Sequence, residues 1–341
     1  MKPPAIVERY RSEIDTELEA VINGRTFPMY DMMRYHLGWV DDRGNPVRKN
    51  GGKALRPSLC LFSCEAVGGD YHKALPAAAA IELVHNFSLI HDDIQDGDNE
   101  RRHRPTVWAV WGKAQAINAG TAMRILANTS LARLHNFGVS AQTLWSVNQR
   151  LDEVTLSLIE GQYLDISFED RFNITVTDYI DMIKGKTGAL ISGSMELGAF
   201  LGSEDENIVR SFREIGMNIG LAFQIKDDML GIWGNSETTG KPSGNDIRRR
   251  KKSFPVVWML ENVNGTRRKE VMSIYRNETV NDEAVDRVLE IFNHAGVESG
   301  SRQLVENYCR KAEHLFFDLH LGLQAEKDMK EIIRFFNDRN Y

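Results

Sequence analysis

Asp92 and Asp96 lie four residues apart in His91-Asp92-Asp93-Ile94-Gln95-Asp96, where the apolar stretch Leu75 to Ile90 ends. On a helix this spacing puts both carboxylates on one face, with about 5–6 Å between their β-carbons. Anions at a helix C-terminus oppose the dipole, and like charges four apart repel, so a cation is the natural complement. All-oxygen ligands select a hard ion, magnesium or manganese rather than zinc. Just beyond come Gly97, Asp98, Glu100 and the basic group Arg101-Arg102-His103-Arg104. Residues 219–228 repeat the design. An apolar run from Ile219 closes on Asp227-Asp228, followed by Gly240-Lys241 and then Arg248-Arg249-Arg250-Lys251-Lys252. Alone, either cluster reads as a solvated helix end, and the basic run as a localisation or nucleic-acid patch. Together, two metal-holding carboxylate clusters with Lys and Arg beside them can grip a polyphosphate.

Helices must position these groups. The prolines stand at 3, 4, 28, 46, 57, 76, 105, 242 and 255, which leaves the chain free of proline between 105 and 242 and after 255. Proline in a helix interior costs about 3 kcal/mol, so such stretches suit long stacked helices. The spacing agrees: Ile180, Ile183, Lys184, Thr187, Leu190 and Ile191 fall at three and four, as do Ile208, Val209, Phe212, Ile215, Ile219 and Phe223. Period-two strands are absent. The class is all-α, with ten or more helices. Residues 24–52, 97–106 and 234–253 read as loops. No Gly/Ser-rich linker divides the 341 residues, which read as one domain.

With 42% apolar and 26% charged residues the composition is that of a globular protein. A net charge of −6 argues against a general nucleic-acid or anionic-membrane binder, though not against a local basic pocket. Three cysteines, Cys60, Cys64 and Cys309, make no disulfide framework and favour a reducing compartment. The start lacks a signal-peptide core, and no run reaches the ~18 apolar residues of a membrane span. The expectation is a cytoplasmic protein without stable membrane insertion.

Several blocks resemble one family, the trans-isoprenyl diphosphate synthases. Gly51-Gly52-Lys53-Ala54-Leu55-Arg56-Pro57 is similar to its GGKxxRP segment, and Asp92 to Asp96 to its first aspartate-rich motif. Arg101-Arg102-His103-Arg104-Pro105-Thr106 resembles RRGxPT. Gly161-Gln162-Tyr163-Leu164-Asp165, Lys186-Thr187, Phe223 to Asp228 and the stretch from Gly240-Lys241 to Pro255 also match, in family order. His103 departs from the usual glycine and Ser253-Phe254 from the usual Thr-Leu. Gly231 stands where the second motif commonly has its third Asp. With that carboxylate missing, water is expected to complete the metal shell.

The resemblance implies an isoprenoid synthase fold, a helical bundle around a central apolar cavity, working as a homodimer. It implies extension of an allylic diphosphate by isopentenyl diphosphate through ionisation, condensation and proton loss. The product would be short, geranylgeranyl diphosphate first and farnesyl diphosphate second. Three Mg2+ ions, or Mn2+, would sit on Asp92, Asp96 and Asp227, with Asp93 and Asp228 in support and the assignment inside each pair open. Arg101, Lys186, Lys241 and Lys251 would contact the allylic diphosphate, and Lys53, Arg56, His85 and Arg102 the isopentenyl diphosphate. Lys53 and Arg56 are expected on one face of a helix starting after Gly52; for His85 a satisfied core histidine stays open. Thr187 and Gln224 would offer dipoles to the carbocation, and the released diphosphate would accept the proton. Phe87, with small Ser88 beside it, would form the channel floor that sets product length.

Three other readings compete. Glu82-Leu83-Val84-His85 has the Glu-x-x-His form of a di-iron bundle, but no second copy follows. A class I terpene cyclase needs no isopentenyl diphosphate site. A non-catalytic subunit of a heteromeric synthase should show degraded aspartate motifs, and only Gly231 departs.

Overall fold

A computed structural model describes residues 3–47, 52–203, 205–234 and 243–338. It is all-α, as the spacing predicts. The chain forms two compact units. One comprises residues 5–153 with 193–210, the other residues 1–4, 154–192 and 211–341.

In the first unit α1 (Ala5–Ile22), α3 (Leu55–Ala66), α5 (Val107–Trp111) and α6 (Lys113–Ala132) pack on α4 (Leu75–Gln95), and α2 (Met29–His36) packs on α5 and α6. Pro76 opens α4 in the first turn, where its missing N–H costs nothing. Ala77 to Ala80, Ile81, Leu83 and Val84 are wholly buried, so neighbours surround this helix. Its small residues let α6 come close, and Ser130 on α6 donates to the Pro76 carbonyl at 2.8 Å. Cys60 and Cys64 are buried free thiols on α3.

All three expected loops hold structure among the described residues. Residues 24–52 contain α2, whose Met32, Met33 and Tyr35 are buried. At eight residues it is too short to stand out from the loop around it. Residues 97–106 contain a two-stranded hairpin, β1 (Glu100–Arg101) and β2 (Arg104–Pro105). Its turn residues Arg102 and His103 have φ of 53° and 60°. A two-residue hairpin turn of type I′ needs positive φ at both positions, which explains why glycine suits position 103.

The second unit holds α8 (Val176–Ile183), most of α10 (Glu206–Trp233), and α11 (Asn245–Arg248) to α16 (Leu323–Asp338). Thr175 and Asp178 start α8 with a reciprocal capping box. Between α8 and α9 (Ala189–Gly202) the chain makes a π-turn, Lys184–Gly188, where regular spacing predicts an unbroken helix. Its core joins Ile232 and Ile247 to Val256 and Met259 of α12 (Phe254–Asn262), Phe292 of α14 (Asp282–Ala295) and Val297 of α15 (Val297–Phe317).

Candidate active site

In the first unit α4 ends on the acidic motif. Asp92 is half-buried and Asp96, the helix cap, is exposed, whereas Asp93 is buried. Asp93 faces inward because Arg101 of the hairpin reaches it with both Nε and Nη2, each 2.8 Å from Oδ1. The other oxygen of Asp93 is buried without a hydrogen-bond partner. Burial pushes the Asp93 carboxyl up to about 6, against the lowering effect of Arg101. The hairpin is pinned in turn. Thr106 Oγ1 donates to the Asp98 carbonyl at 3.0 Å, Trp108 Nε1 to the same oxygen at 2.9 Å, and Tyr35 to the Pro105 carbonyl at 2.8 Å.

Arg56 and His85 meet across α3 and α4, with Nη1 3.4 Å from Nε2. Burial, then Arg56, Arg102 and Arg101, holds His85 well below its usual pKa, so the ring is neutral at physiological pH. His85 is half-buried, with Arg56 as its neighbour. Arg102 lies over Gly52, where a β-carbon would come within 2.6 Å of Nη2. Lys53 does not share a helix face with Arg56. The helix starts at Leu55, because Ala54 takes a left-handed φ of 49°, and Lys53 is exposed ahead of it. Glu82, the acid of the Glu-x-x-His pattern, is buried and accepts from Asn86 at 3.0 Å. Phe87 is buried, its ring edge-on to His91 at 5.5 Å, and Ser88 turns its hydroxyl to the His85 carbonyl.

The second unit repeats this division of labour. Asp227 is exposed; Asp228 is buried. Asp228 accepts from Gln224 at 3.1 Å, Lys251 at 3.3 Å, the Phe254 N–H at 2.8 Å and the Tyr179 hydroxyl. Its charge raises the Lys251 ammonium pKa, more than burial lowers it. Gln224 also accepts from Thr187 at 2.6 Å. Lys186 pairs with Asp165. Glycines set this register. A β-carbon at Gly161 would strike the Lys186 and Gly185 backbone, and one at Gly220 would sit 2.7 Å from the α-carbon of Gly188. The π-turn therefore lies directly on two helices, presenting Lys186 and Thr187; such turns recur at functional sites.

The basic run is internally engaged. Arg248 bonds Asp282 at 2.6 Å, Arg250 the Asn277 carbonyl at 2.9 Å, and Lys252 the Glu169 carbonyl at 3.1 Å. This argues against a solvated nucleic-acid patch. Gly51, Gly240 and Lys241 lie outside the described residues. Sequence reasoning left three site-adjacent groups unassigned. Asp165 stood inside a matched block, Tyr179 gave no signal because a buried aromatic is ordinary core, and Asp246 lay in a presumed loop.

These observations agree with the aspartate-rich motifs, and the chain's relatives decide the family. The polyprenyl synthetase family model matches residues 39–292. The chain belongs to the polyprenyl synthetase family. Its fold is that of a solved polyprenyl synthetase from Streptomyces coelicolor, with 36% identity, a TM-score of 0.89 and coverage of 97% of this chain and 98% of that one. A (2E,6E)-farnesyl diphosphate synthase of Mycobacterium tuberculosis is 47% identical over 232 residues, which is 68% of this chain and 63% of that relative. The matched stretch thus spans less than two thirds of that protein. A geranylgeranyl diphosphate synthase of Saccharolobus solfataricus is 33% identical over 92% of this chain and 95% of its own length. Among the described residues, no helix of this polyprenyl synthetase is long and apolar enough to cross a membrane.

The donor set fits one kind of metal. Among the described residues no three His, Cys, Asp or Glu side chains form a finished cage. Magnesium does not need one, since it takes one or two carboxylates and completes its shell with waters and substrate phosphates. Asp92 with Asp96, one helical turn apart, and the outward Asp227 offer such incomplete oxygen shells.

Proposed function

We propose that this polyprenyl synthetase condenses isopentenyl diphosphate with an allylic diphosphate, giving geranylgeranyl or farnesyl diphosphate. The reading rests on one observation. In each aspartate pair the first carboxylate is the more exposed, Asp92 half-buried and Asp227 exposed, while the second is buried and bound to a basic side chain, Arg101 or Lys251. Each unit thus couples a candidate metal ligand to a fixed cation, the arrangement a leaving diphosphate requires. Relatives named as farnesyl and geranylgeranyl diphosphate synthases support the short product.

Mg2+, three per site and replaceable by Mn2+, would be held by Asp92, Asp96 and Asp227, and would supply Lewis-acid stabilisation of the departing diphosphate. Arg101, Lys186, Lys241 and Lys251 bind the allylic diphosphate in this reading; Lys53, Arg56, His85 and Arg102 bind isopentenyl diphosphate. His85, being neutral, contributes a hydrogen bond rather than charge. Thr187 gives its proton to Gln224, so the hydroxyl lone pairs are the groups left to face a carbocation. The proton lost from the condensed product goes to the released diphosphate.

The chain acts as one domain, a reading supported by a family match that covers parts of both units. A homodimer is supported by an apolar stripe on α7 (Ala141–Phe168). Leu156, Ile159, Tyr163 and Ile166 recur at three and four, and are 54%, 48%, 73% and 41% exposed. A second copy of this chain is the occupant we assign to it. The setting is cytoplasmic, where buried thiols stay reduced.

The test is product extraction after incubating purified protein with Mg2+, labelled isopentenyl diphosphate and each allylic starter. Labelled fifteen- or twenty-carbon alcohols after phosphatase treatment support the reading. No elongated product with any starter refutes it.

A further inference from the structure

Gly231 lies one helical turn beyond Asp227 on α10, so a side chain there would share the Asp227 face. That place is taken. A β-carbon built on Gly231 would collide with the carboxylate of Asp246, whose Oδ1 would stand 2.8 Å away and whose other carboxylate atoms would be nearer. A second acidic side chain therefore occupies the space of the missing aspartate.

The backbone delivers Asp246 to this notch. Gly244 N–H and Ser243 Oγ both donate to the carbonyl of Ile232, the residue after Gly231, at 2.9 and 3.2 Å. Ile247 is wholly buried in the same core as Ile232. Asp246, between these tethers, gives its carbonyl to the Lys251 N–H at 2.9 Å. The segment is thus fixed on both sides, and its carboxylate lies over a residue without a side chain.

We propose that Asp246 is the third carboxylate of the second cluster, acting from α11 on the ion assigned to Asp227 in place of a side chain at position 231. This rests on the metal-dependent reading above. The charge has moved from one backbone position to another, while the space it fills is kept. Gly231 is then required because Asp246 needs the room.

The test is titration of Mn2+, followed by electron paramagnetic resonance, into the full chain with inorganic pyrophosphate. Melting temperatures are recorded for every variant. Asp246→Asn preserves shape and should weaken the most affected class of Mn2+ sites about tenfold, the scale of removing a group that supports a metal shell. Gly231→Asp alone should also weaken binding, since two carboxylates then compete for one space. The exchange variant Gly231→Asp/Asp246→Gly should recover most of the loss. If Asp246→Asn binds Mn2+ like the wild type while Asp227→Ala loses affinity, the inference falls and the metal reading stands. If the exchange variant recovers nothing at a wild-type melting temperature, Asp246 does not substitute for residue 231. If neither Asp246→Asn nor Asp227→Ala alters binding, the metal reading of this cluster falls with it.

Discussion

The Gln224 amide donates to Asp228 at 3.1 Å, and this fixes its carbonyl oxygen as the acceptor of the Thr187 hydroxyl, 2.6 Å away. Asp228, four residues on from Gln224, thereby orients two groups assigned to the carbocation without facing it. Buried hubs of this kind and outward ligands should respond differently to mutation.

Asp228→Ala should destabilise the fold by about 3–5 kcal/mol, because it strips a buried charge from Lys251 and leaves the Tyr179 and Gln224 donors without their acceptor. Asp227→Ala should melt as the wild type does but lose turnover by orders of magnitude, since its carboxylate is exposed. Thermal melts paired with initial rates check this, and equal destabilisation by both variants would contradict it.

The two diphosphate grips should separate kinetically. Arg56→Ala removes a contact that persists through the reaction, and should mainly raise the KM for isopentenyl diphosphate. Lys186→Ala removes charge needed as the leaving group develops, and should mainly lower kcat. Steady-state kinetics with each substrate varied will show whether the effects divide this way; both variants altering only the allylic KM would reverse the assignment.

Acid should destabilise the protein through two partly buried histidines. Burial, then Arg102 and Arg101, lowers His36 to about 3, and His85 is also held well below its usual value. A histidine with a depressed folded pKa leaves the unfolded chain holding more protons. Stability is then complete above the unfolded value of about 6.5 and falls as pH drops towards the folded value. His36→Asn should flatten melting temperature against pH between 4 and 7. A slope identical to wild type would remove His36 from the account.

Phe87 is buried on α4, five residues before Asp92 and edge-on to His91. If it closes the channel, Phe87→Ala should lengthen the products, as read by chromatography of the dephosphorylated alcohols. An active variant with the wild-type distribution would move the floor deeper, towards Val84 or Ile81.

The sequence announces what rests on long-range periodicity or on charge pairs. The α4 run into Asp92 and the α10 run into Asp227 are both visible that way. It does not reveal which aspartate of each pair faces inward, because that depends on Arg101 returning from the hairpin and on Tyr179 and Phe254 reaching Asp228 from distant positions. Short elements are equally silent. α2, at eight residues, is too short to stand out from the loop around it, and α11 is held by tertiary contacts of Ile247 rather than by local propensity. The π-turn at Lys186 leaves apolar spacing nearly intact, so only the contacts of Gly161 and Gly220 betray it.

The most direct test of the central claim is stoichiometric. Pyrophosphate release should be followed with purified protein, isopentenyl diphosphate, an allylic diphosphate and Mg2+. The account predicts one pyrophosphate per isopentenyl diphosphate consumed, dependence on both substrates, loss on chelation and recovery when Mg2+ is restored. Pyrophosphate release from the allylic substrate alone, unchanged by isopentenyl diphosphate, would contradict it.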